Sequence, residues 1–457
     1  MQEVATPIVP SSATFIGDKK TLDYKAICVF SALGFFLDDD TYFEEQKVLK
    51  PATTYHLIKN TIKDKNSYFK WHHRPVERPL KQIVAEFAVL FEQIIEEQVG
   101  NKNVILPLSG GLDSRTQACA LKYLNKDVST YSYAFEGGHD ETKYSKKIAE
   151  VCGFPFKDMH IPNGYLWNKI DALAQINSCY SEFTHPRQMA FIEQYAQMGA
   201  VFSLGHWGDV LFDDMGVADD LTIDEQVAVL FKKVIKKGGL ELATALWMEW
   251  ELEGDFKAYL YERLKNLLLK IDIPQSANAQ IRAFKSLYWA PRWTSVNLSV
   301  FENERPITLP YYDNRMCAFI CTIPEKYLAG RQIQIEYLKM RNPALAKIVW
   351  QGQKPFHLYN YHYNKSPYNI PYRILDKIKR MLSPKKYIQR NWELQFLGTE
   401  NEKQLKNRLF ENEKMNAVIS TQLTNAFYEK FKSENDVYYS HPVSMLLTLS
   451  LFFKYNQ

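Results

Sequence analysis

Apolar and polar residues follow two different spacings along the first half of the chain. Short apolar runs of strand length occupy residues 104–107, 128–135, 156–161 and 201–205. Between these runs, apolar residues recur every three or four positions, which is the spacing of one face of a helix. Strands that alternate with helices of this length predict an α/β fold, with a parallel sheet and helices on both of its faces.

The chain on either side of this segment has other patterns. Residues 79–98 have apolar positions at helical spacing with Glu and Gln between them, which predicts an amphipathic helix before the sheet. Residues 34–43, Gly-Phe-Phe-Leu-Asp-Asp-Asp-Thr-Tyr-Phe, predict a strand, an acidic turn and a second strand. Residues 220–300 have helical patterns, and the apolar residues 441–453 predict a segment docked on the core.

These patterns predict three parts. They are a small β-rich domain over residues 1–78, the α/β domain over 79–360 and a helical extension over 361–457. Within the extension, residues 371–390 carry seven Lys and Arg residues interleaved with Ile, Leu and Met. We interpret this stretch as the solvated face of a basic helix, and contact with acidic lipid or nucleic acid is the alternative.

Composition narrows the class of protein. The chain has 457 residues and is 46% hydrophobic, which is enough for a large core. A net charge of +4 with 24% charged residues does not indicate nucleic-acid binding. The six cysteines form no CxxC pair, so we expect reduced thiols and a cytoplasmic protein. There is neither a signal-peptide pattern nor an apolar run of about 18 residues, so no transmembrane segment is expected.

The apolar run at 104–107 leads into the most informative motif of the chain, Leu-Ser-Gly-Gly-Leu-Asp-Ser at residues 108–114. Two glycines permit a sharp turn and leave backbone N–H groups uncovered, and the following helix directs its own N–H groups and dipole to the same place. Ser109 and Ser114 add hydroxyl donors. Asp113 repels a bare phosphate, so a carboxylate here indicates a bridging Mg²⁺. The motif therefore predicts a site for a phosphate chain with its metal.

This motif is not a Walker A loop, because no Gly-Lys-Ser/Thr follows the glycines. It resembles the Ser-Gly-Gly-x-Asp-Ser loop of the N-type ATP pyrophosphatases, which cleave ATP between its α- and β-phosphates and adenylate a substrate. Further along, the chain resembles the synthetase domain of the asparagine synthetase family. The stretches that carry the resemblance are Asp140-Glu141, Ser203–Phe212, Arg305–Asp313 and Lys354-Pro355-Phe356.

The resemblance implies a role for each matching residue. Asp113 and Asp209 would hold Mg²⁺, and Lys354 would neutralise charge on the phosphates or on the tetrahedral intermediate. His206 would remove a proton from the attacking nitrogen. The ATP-binding residues that the resemblance implies are Leu108, Ser109, Gly110, Gly111, Asp113, Ser114, Tyr133 and Gly205.

Two departures from the family pattern concern the substrates. The family's glutaminase domain needs an N-terminal cysteine nucleophile, but Gln2 follows Met1 here, and residues 15–80 resemble only the last strands of that domain. We therefore expect no glutamine hydrolysis by this chain. Val210 stands where the family usually has a carboxylate, so the acceptor need not be aspartate.

Two further departures lie beside the predicted site. His206 stands where asparagine synthetase has Glu and the β-lactam-forming relatives have Tyr. A neutral imidazole with a pKa within about one unit of 6.5 suits a general base near neutral pH. The alternative is that His206 only packs against Trp207. Arg115 stands where a small hydroxyl residue is common, and we expect its guanidinium to reach phosphate or to face solvent.

Together these residues predict an amide-forming ligase that uses ATP and Mg²⁺. The carboxylate of a small molecule, a sugar or a peptide would be adenylated with release of pyrophosphate, and ammonia or an amine would then displace AMP. A separate glutaminase is a further possible source of the ammonia, and no nucleic-acid partner is expected. Two other functions stay open. One is a non-catalytic nucleotide-binding partner, and the other is a tRNA-thiolating enzyme, which would need a catalytic pair such as Cys317 and Cys321.

Overall fold

The computed structural model describes residues 2–5, 14–59, 61–138, 142–183, 185–383 and 392–456. Their strands are β1 (Gln2–Ala5), β2 (Phe15–Ile16), β3 (Lys47–Val48), β4 (Thr53–Ile58), β5 (Thr61–Ser67), β6 (Val104–Pro107), β7 (Val128–Phe135), β8 (Phe156–Ile161), β9 (Val201–Ser203) and β10 (Ile307–Thr308).

Their α-helices are α1 (Tyr24–Leu33), α2 (Leu80–Val99), α3 (Asp113–Tyr123), α4 (Thr142–Cys152), α5 (Tyr165–Asn177), α6 (Ile192–Tyr195), α7 (Gly208–Leu211), α8 (Ile223–Val234), α9 (Gly239–Glu249), α10 (Phe256–Ile271), α11 (Ala277–Phe284), α12 (Ser295–Glu302), α13 (Asn314–Ile320), α14 (Glu325–Leu328), α15 (Gln332–Arg341), α16 (Pro343–Ala346), α17 (Ile370–Leu382), α18 (Trp392–Gln395), α19 (Thr399–Phe410), α20 (Glu413–Asn416), α21 (Thr421–Glu429) and α22 (Asp436–Asn456). Two π-helical segments cover Lys285–Thr294 and Lys430–Glu434, and short 3-10 turns cover Arg187–Phe191, Pro310–Tyr312, Ala329–Arg331, Gln351–Gln353 and Tyr361–Tyr363.

The central sheet is parallel throughout, as the alternating pattern predicts. Its strand order is β10-β9-β6-β7-β8, with Val104 opposite both Val128 and Val201. The edge strand β10 was not predicted, because its two residues are too few to show any periodicity. It pairs in parallel with β9, with Ile307 opposite Phe202 and Thr308 opposite Ser203.

The order of these strands places a ligand crevice at one point of the sheet. The chain runs from β6 to β7 and β8 in one direction, and then returns to place β9 and β10 on the other side of β6. Chain connections therefore diverge between the carboxyl ends of β6 and β9. In open α/β sheets, ligands bind at such a switch point.

Long helices enclose the sheet, and their apolar stripes form one core with it. Helix α2 begins at Leu80 and buries Ile83, Phe87, Phe91 and Ile94, which confirms the helix predicted over 79–98. Helix α22 is buried along most of its length, which confirms that residues 441–453 dock on the core.

The N-terminal part differs from its prediction at residues 34–43. Strands β1, β4 and β5 form a small antiparallel sheet, but residues 34–43 contain no strand and follow helix α1, which packs against α9. Rings of this segment stack inside the core, for example Phe30 on Phe36 at 4.4 Å. Aromatic residues buried in irregular backbone mimic the apolar runs of strands, which explains the wrong prediction. The boundaries at residues 78 and 360 stay predictions.

Helix α17 lies within the basic stretch noted in the sequence, and it is unusual in its exposure. All of its residues whose burial is described are exposed except Asp376, which is partly buried. Across the described parts of the chain, no helix is both long enough and apolar enough to cross a membrane.

Candidate active site

The loop between β6 and α3 is closed by hydrogen bonds that its backbone N–H groups donate to side-chain oxygens. The backbone N–H of Ser109 donates to Ser114 Oγ (3.0 Å), and that of Gly111 donates to Ser109 Oγ (3.3 Å). The N–H of Gly110 donates to Gln351 Oε1 (3.1 Å), and its carbonyl accepts from the Gln351 N–H (3.1 Å). The expectation that the two glycines leave their N–H groups uncovered is therefore wrong. A phosphate oxygen could replace the side-chain oxygens, because the donors already converge on one loop.

Gly110 is the glycine of this loop that the packing requires. A Cβ atom there would lie 2.6 Å from Gln351 Oε1 and 2.7 Å from Gln351 Cβ. At Gly111 the nearest atom to such a Cβ would be Ser109 Oγ at 3.2 Å. The first glycine thus allows the segment around Gln351 to lie directly on the loop.

Arg115 supports the loop from the protein interior. The two positions predicted for its guanidinium, on phosphate or in solvent, are both wrong. Its side chain is completely buried, and it donates to the carbonyls of Gly110 (3.0 Å), Ile348 (3.0 Å) and Val349 (2.9 Å). Burial lowers its pKa to about 10, so the guanidinium stays charged at neutral pH. A fork of five donors suits a turn whose carbonyls would otherwise lack partners. Arg115 therefore joins the loop to residues 345–349.

Asp113 begins helix α3 and is held from the opposite side by two residues of the α15 region. Its Oδ1 accepts from Arg331 and from Gln334 Nε2 (3.1 Å), while its backbone carbonyl accepts from the Tyr311 hydroxyl (3.0 Å). Burial raises the pKa of Asp113, and the Arg331 guanidinium opposes this rise. Both of these side-chain contacts are made by Oδ1. No local pattern in the sequence singled out Arg331 or Gln334.

The second predicted metal ligand, Asp209, lies near Asp113 and is exposed. Its carboxylate contributes to the raised pKa of Asp113. Two glycines permit this approach: a Cβ at Gly208 would lie 2.4 Å from Asp113 Oδ1, and one at Gly205 would lie 3.2 Å from the Ser114 N atom. The strands β6 and β9 thus bring both carboxylates to the switch point of the sheet.

These two carboxylates fit a magnesium-nucleotide complex. Within the described ranges, no three His, Cys, Asp or Glu side chains are grouped to hold a metal. Mg²⁺ commonly takes one or two protein carboxylates and completes its shell with water and substrate phosphates. The carboxylates of Asp113 and the exposed Asp209 are the groups that match this need.

A cavity of 180 Å³ adjoins the crevice and contains two of the predicted residues, Tyr133 and His206. Its other lining residues are His185, Pro186, Arg187, Gln188, Trp293, Asn297, Val300 and Phe301. Three buried polar atoms of this lining have no hydrogen-bond partner among the described residues: His206 Nδ1, Arg187 Nε and Trp293 Nε1. Two of the three are obligatory donors. The cavity therefore suits an occupant that brings acceptor oxygens.

The environment of His206 differs from the sequence-based expectation. Burial lowers the pKa of His206 to about 4, and the nearby Asp209 carboxylate only partly opposes this effect. The predicted pKa within about one unit of 6.5 is therefore wrong. The imidazole lies 6.4 Å from the ring of Phe301, and its neighbour Trp207 has left-handed backbone with φ +70°. Such backbone in a bulky residue costs free energy and is found at functional sites.

A lysine that the sequence did not single out lies on the same side of the crevice. Lys285 Nζ is 5.6 Å from the centre of the Trp207 ring and 5.3 Å from that of Trp289. Burial lowers the pKa of Lys285, while the Asp209 carboxylate opposes this shift. A cation with aromatic neighbours and reduced hydration is well placed to neutralise an anionic ligand.

The π-helical segment Lys285–Thr294 contains Lys285 and two tryptophans that lie near Trp207. Trp289 and Trp293 lie 6.0 and 6.4 Å from Trp207, while Arg292 donates to two backbone carbonyls after α1 (2.7 and 2.6 Å). π-helical turns are rare and frequent at functional sites. A larger cavity of 750 Å³ lies beside Tyr288 of the same segment, but it contains none of the predicted site residues.

Two of the remaining predicted site residues, Lys354 and Leu108, lie among the described residues. Lys354 is partly buried and directly follows the turn that brings Gln351 to the loop. Leu108 is buried, with its N–H donating to the Tyr131 carbonyl (2.7 Å) and its own carbonyl accepting from Ser145 Oγ (3.1 Å). The predicted match at Asp140-Glu141 lies outside the described residues.

The predicted stretch Arg305–Asp313 forms part of the architecture. It contains β10, and Arg305 donates to the carbonyls of Gly199 (3.1 Å) and Ala196 (2.9 Å). Asp313 caps α13, where its Oδ1 accepts from the Arg315 N–H (3.0 Å).

The cysteine pair considered for thiolation is unsuited to that role. Cys317 lies in α13 and Cys321 directly follows it. Both side chains are buried, and burial raises the pKa of both thiols. Reactive cysteines are accessible and have a lowered pKa. The position of these two residues therefore favours packing.

A family model described as asparagine synthase matches residues 86–216, from α2 to just beyond α7. The chain contains an asparagine synthase domain. An ATP-dependent ligase of the PP-loop type is the class of enzyme that this match supports. A search of curated proteins found no match.

Among the solved structures that match, three show weak similarity at 14% sequence identity each. NMN synthetase from Francisella tularensis has a TM-score of 0.23 and covers 46% of this chain and 93% of its own. The NH3-dependent NAD synthetase from Campylobacter jejuni has a TM-score of 0.22, with 42% and 93% covered. NAD+ synthetase from Burkholderia pseudomallei has a TM-score of 0.21, with 42% and 94% covered. At these TM-scores the similarities carry no argument about this chain.

Proposed function

We propose that this protein is an AMP-forming ligase that joins a substrate carboxylate to ammonia or an amine. One observation carries the proposal. The loop of the asparagine synthase domain, two carboxylates and a donor-lined cavity meet at the carboxyl ends of β6 and β9, where the chain connections diverge. This arrangement supports a nucleotide site beside a pocket for a second substrate.

In the first half-reaction, the loop N–H groups and Ser109 and Ser114 bind the phosphates of ATP. Asp113 and Asp209 would hold Mg²⁺, which neutralises phosphate charge when it is bound. A substrate carboxylate oxygen forms a bond to the α-phosphorus, and the bond from that phosphorus to the bridging oxygen of the β-phosphate breaks. Pyrophosphate leaves with the electron pair. Lys285 and Lys354 are the cations assigned to the developing charge.

The cavity next to His206 is assigned to the acyl substrate. Arg187 Nε and Trp293 Nε1 are buried donors without partners, so a ligand with acceptor oxygens would satisfy them. Such oxygens are found in acids with further carboxyl, hydroxyl or amide groups. The two donors thus favour a polyoxygenated acid over an aliphatic one.

In the second half-reaction, the amine nitrogen attacks the acyl carbon, and the bond from that carbon to the AMP oxygen breaks. His206 Nδ1 accepts the proton that the nitrogen loses. With a pKa of about 4, His206 is neutral above about pH 5 and is always able to accept this proton in the physiological range. Its low basicity limits the rate in return, because proton transfer to a weak base is less favourable.

Exchange of labelled pyrophosphate into ATP, assayed across a panel of carboxylic acids, tests the first half-reaction. Asp113→Asn and Asp209→Asn should abolish the exchange without unfolding the chain, while Asp220→Asn, on an exposed residue outside the site, should retain it. Wild-type exchange in either of the first two variants would refute the metal assignment. ATP binding without exchange for any acid would favour the non-catalytic alternative.

His206→Ala tests the second half-reaction. Loss of a general base should lower amide formation by roughly 10²–10⁴-fold while pyrophosphate exchange continues. If His206 only packs in the fold, both half-reactions and the melting temperature should decline together. Equal loss in both would therefore place the base elsewhere.

A further inference from the structure

The helix α17 has a complete apolar face that no part of the described chain covers. Its exposed apolar side chains are Ile370 (43%), Ile374 (54%), Leu375 (54%), Ile378 (46%), Met381 (77%) and Leu382 (79%). At about 100° per residue these six fall within an arc of about 140° on one side of the helix. Water-exposed aliphatic groups of this number are unusual on a protein surface and mark an interaction site.

Positive charge borders this apolar face on both sides. On the helical wheel, Arg373 and Lys377 lie along one edge, and Lys379 lies along the other. All three are exposed, and the one acidic residue of the helix is Asp376. Basic side chains at the edges of an apolar face can extend their stems along an apolar surface while keeping their charges in water.

We propose that α17 binds the surface of an anionic lipid bilayer, with its apolar face inserted among the acyl chains and its basic edges on the headgroups. A short helix with a strongly divided apolar and basic surface is the form that lies in the plane of a membrane interface. The helix α17 carries four basic residues and one acidic residue in its sequence, which gives a surplus of three positive charges for attraction to anionic headgroups. This inference is independent of the ligase chemistry.

Other occupants fit the same face less well. Two copies of α17 packed through their apolar faces would bring basic edges against basic edges, because both edges of each helix are positive. Nucleic acid would match the charge but would leave the six aliphatic side chains in water. The bilayer satisfies the charge and the apolar face together. The interpretation of a merely solvated basic face does not account for the apolar side.

The helix α17 lies close to the segment that contacts the phosphate loop. Tyr372 contacts Phe356 with ring centres 5.5 Å apart, and Phe356 follows the segment that contacts the phosphate loop. On a bilayer, this contact would keep Phe356 and the segment before it near the lipid surface. Exposed Tyr363 and Tyr368 lie just before the helix, and tyrosine is a residue type enriched at membrane–water interfaces.

Flotation of the full chain with vesicles tests this directly. Vesicles of phosphatidylcholine with about 30% phosphatidylglycerol should carry the protein upward, and pure phosphatidylcholine vesicles should carry at least about ten-fold less. Ile374→Ser/Ile378→Ser should lower the partition to anionic vesicles by about ten-fold or more. The matched control is Met248→Ser/Leu269→Ser, which changes two exposed apolar residues (68% and 52%) on other helices and should leave binding unchanged.

A second variant addresses charge. Arg373→Gln/Lys377→Gln should weaken flotation with anionic vesicles and reduce its sensitivity to salt. Equal binding to both kinds of vesicle would overturn the anionic preference. Absence of flotation would overturn the proposal. If the chain then proved to be a dimer that Ile374→Ser/Ile378→Ser dissociates, the face would be an interface between copies.

Discussion

The phosphate loop and the adjoining cavity are neighbours in the crevice, yet they satisfy their polar groups in opposite ways. In the loop, the N–H groups of Ser109, Gly110 and Gly111 have partners within the chain, and so do both terminal nitrogens of the buried Arg115 guanidinium. In the cavity, buried donors such as Trp293 Nε1 lack partners. A loop with satisfied groups is stable before ligand binds, whereas the cavity gains hydrogen bonds when a ligand arrives.

This difference teaches which residues should affect stability and which should affect binding. Removing a satisfied buried donor leaves its acceptors unpaired and destabilises the fold. Removing an unsatisfied one takes nothing from the folded protein, so its effect should be confined to the complex. Each of the following substitutions sharpens or contradicts this distinction.

The largest expected effect comes from Arg115→Met. Loss of the guanidinium leaves the carbonyls of Gly110, Ile348 and Val349 without their donor, so the free energy of unfolding should fall by about 3–5 kcal/mol. Denaturant titration measures the loss. Arg315→Met, at a side chain 42% exposed, is the control and should cost less than about 1 kcal/mol. Equal stability of the two variants would contradict the supporting role of Arg115.

Gly110→Ala should have the next largest effect. Its Cβ would collide with Gln351, so we expect a loss of about 1–3 kcal/mol and a strong fall in pyrophosphate exchange. Gly352→Ala, in the adjacent turn, is the matched control because its Cβ would find no atom nearer than Trp350 Nε1 at 3.8 Å. Similar results for the two variants would show that the contact with Gln351 is not required.

The pH dependence of stability provides a third measurement. His206 has a pKa of about 4 in the folded protein and an ordinary value near 6.5 when unfolded, so between these values protons bind preferentially to the unfolded chain. Its contribution is therefore present above pH 6.5 and is lost as the pH falls toward 4. Between pH 7 and 5 the wild type should lose about 2 kcal/mol more than His206→Gln. His362→Gln, at an exposed histidine, should behave as the wild type, and identical losses in all three would refute the lowered pKa of His206.

The smallest expected effects come from two matched tryptophan variants, which compare the loss of an N–H group without a partner and of one with a partner. Trp293→Phe removes an N–H without a partner, so stability should be unchanged while the KM for the acid rises by up to about ten-fold. Trp247→Phe removes an N–H that donates to the Gly254 carbonyl (2.9 Å), so it should cost about 1 kcal/mol of stability and leave KM unchanged. A destabilised Trp293→Phe with normal KM would contradict the assignment of the cavity to substrate.

Much of the architecture follows from local patterns. The strands β6 to β9, the helix α2 and the turn at the two glycines were predicted because apolar periodicity and glycine act over a few residues. The pairing of Asp113 with Asp209 came from the family resemblance, and the parallel strands β6 and β9 bring the two residues to one edge of the sheet. The short strand β10 and the irregular segment 34–43 escaped prediction, because their structure depends on distant partners.

The sequence by itself determined the parallel sheet and the position of the phosphate loop, because both depend on the order and spacing of neighbouring residues. Only the tertiary structure decided which groups meet across long separations in the chain. It placed Gln351 on Gly110, pointed Arg115 inward to distant carbonyls and surrounded His206 with enough protein to lower its pKa to about 4. It also left the apolar side of α17 exposed. Hydration and hydrogen-bond partners depend on three-dimensional surroundings, and a linear pattern does not contain them.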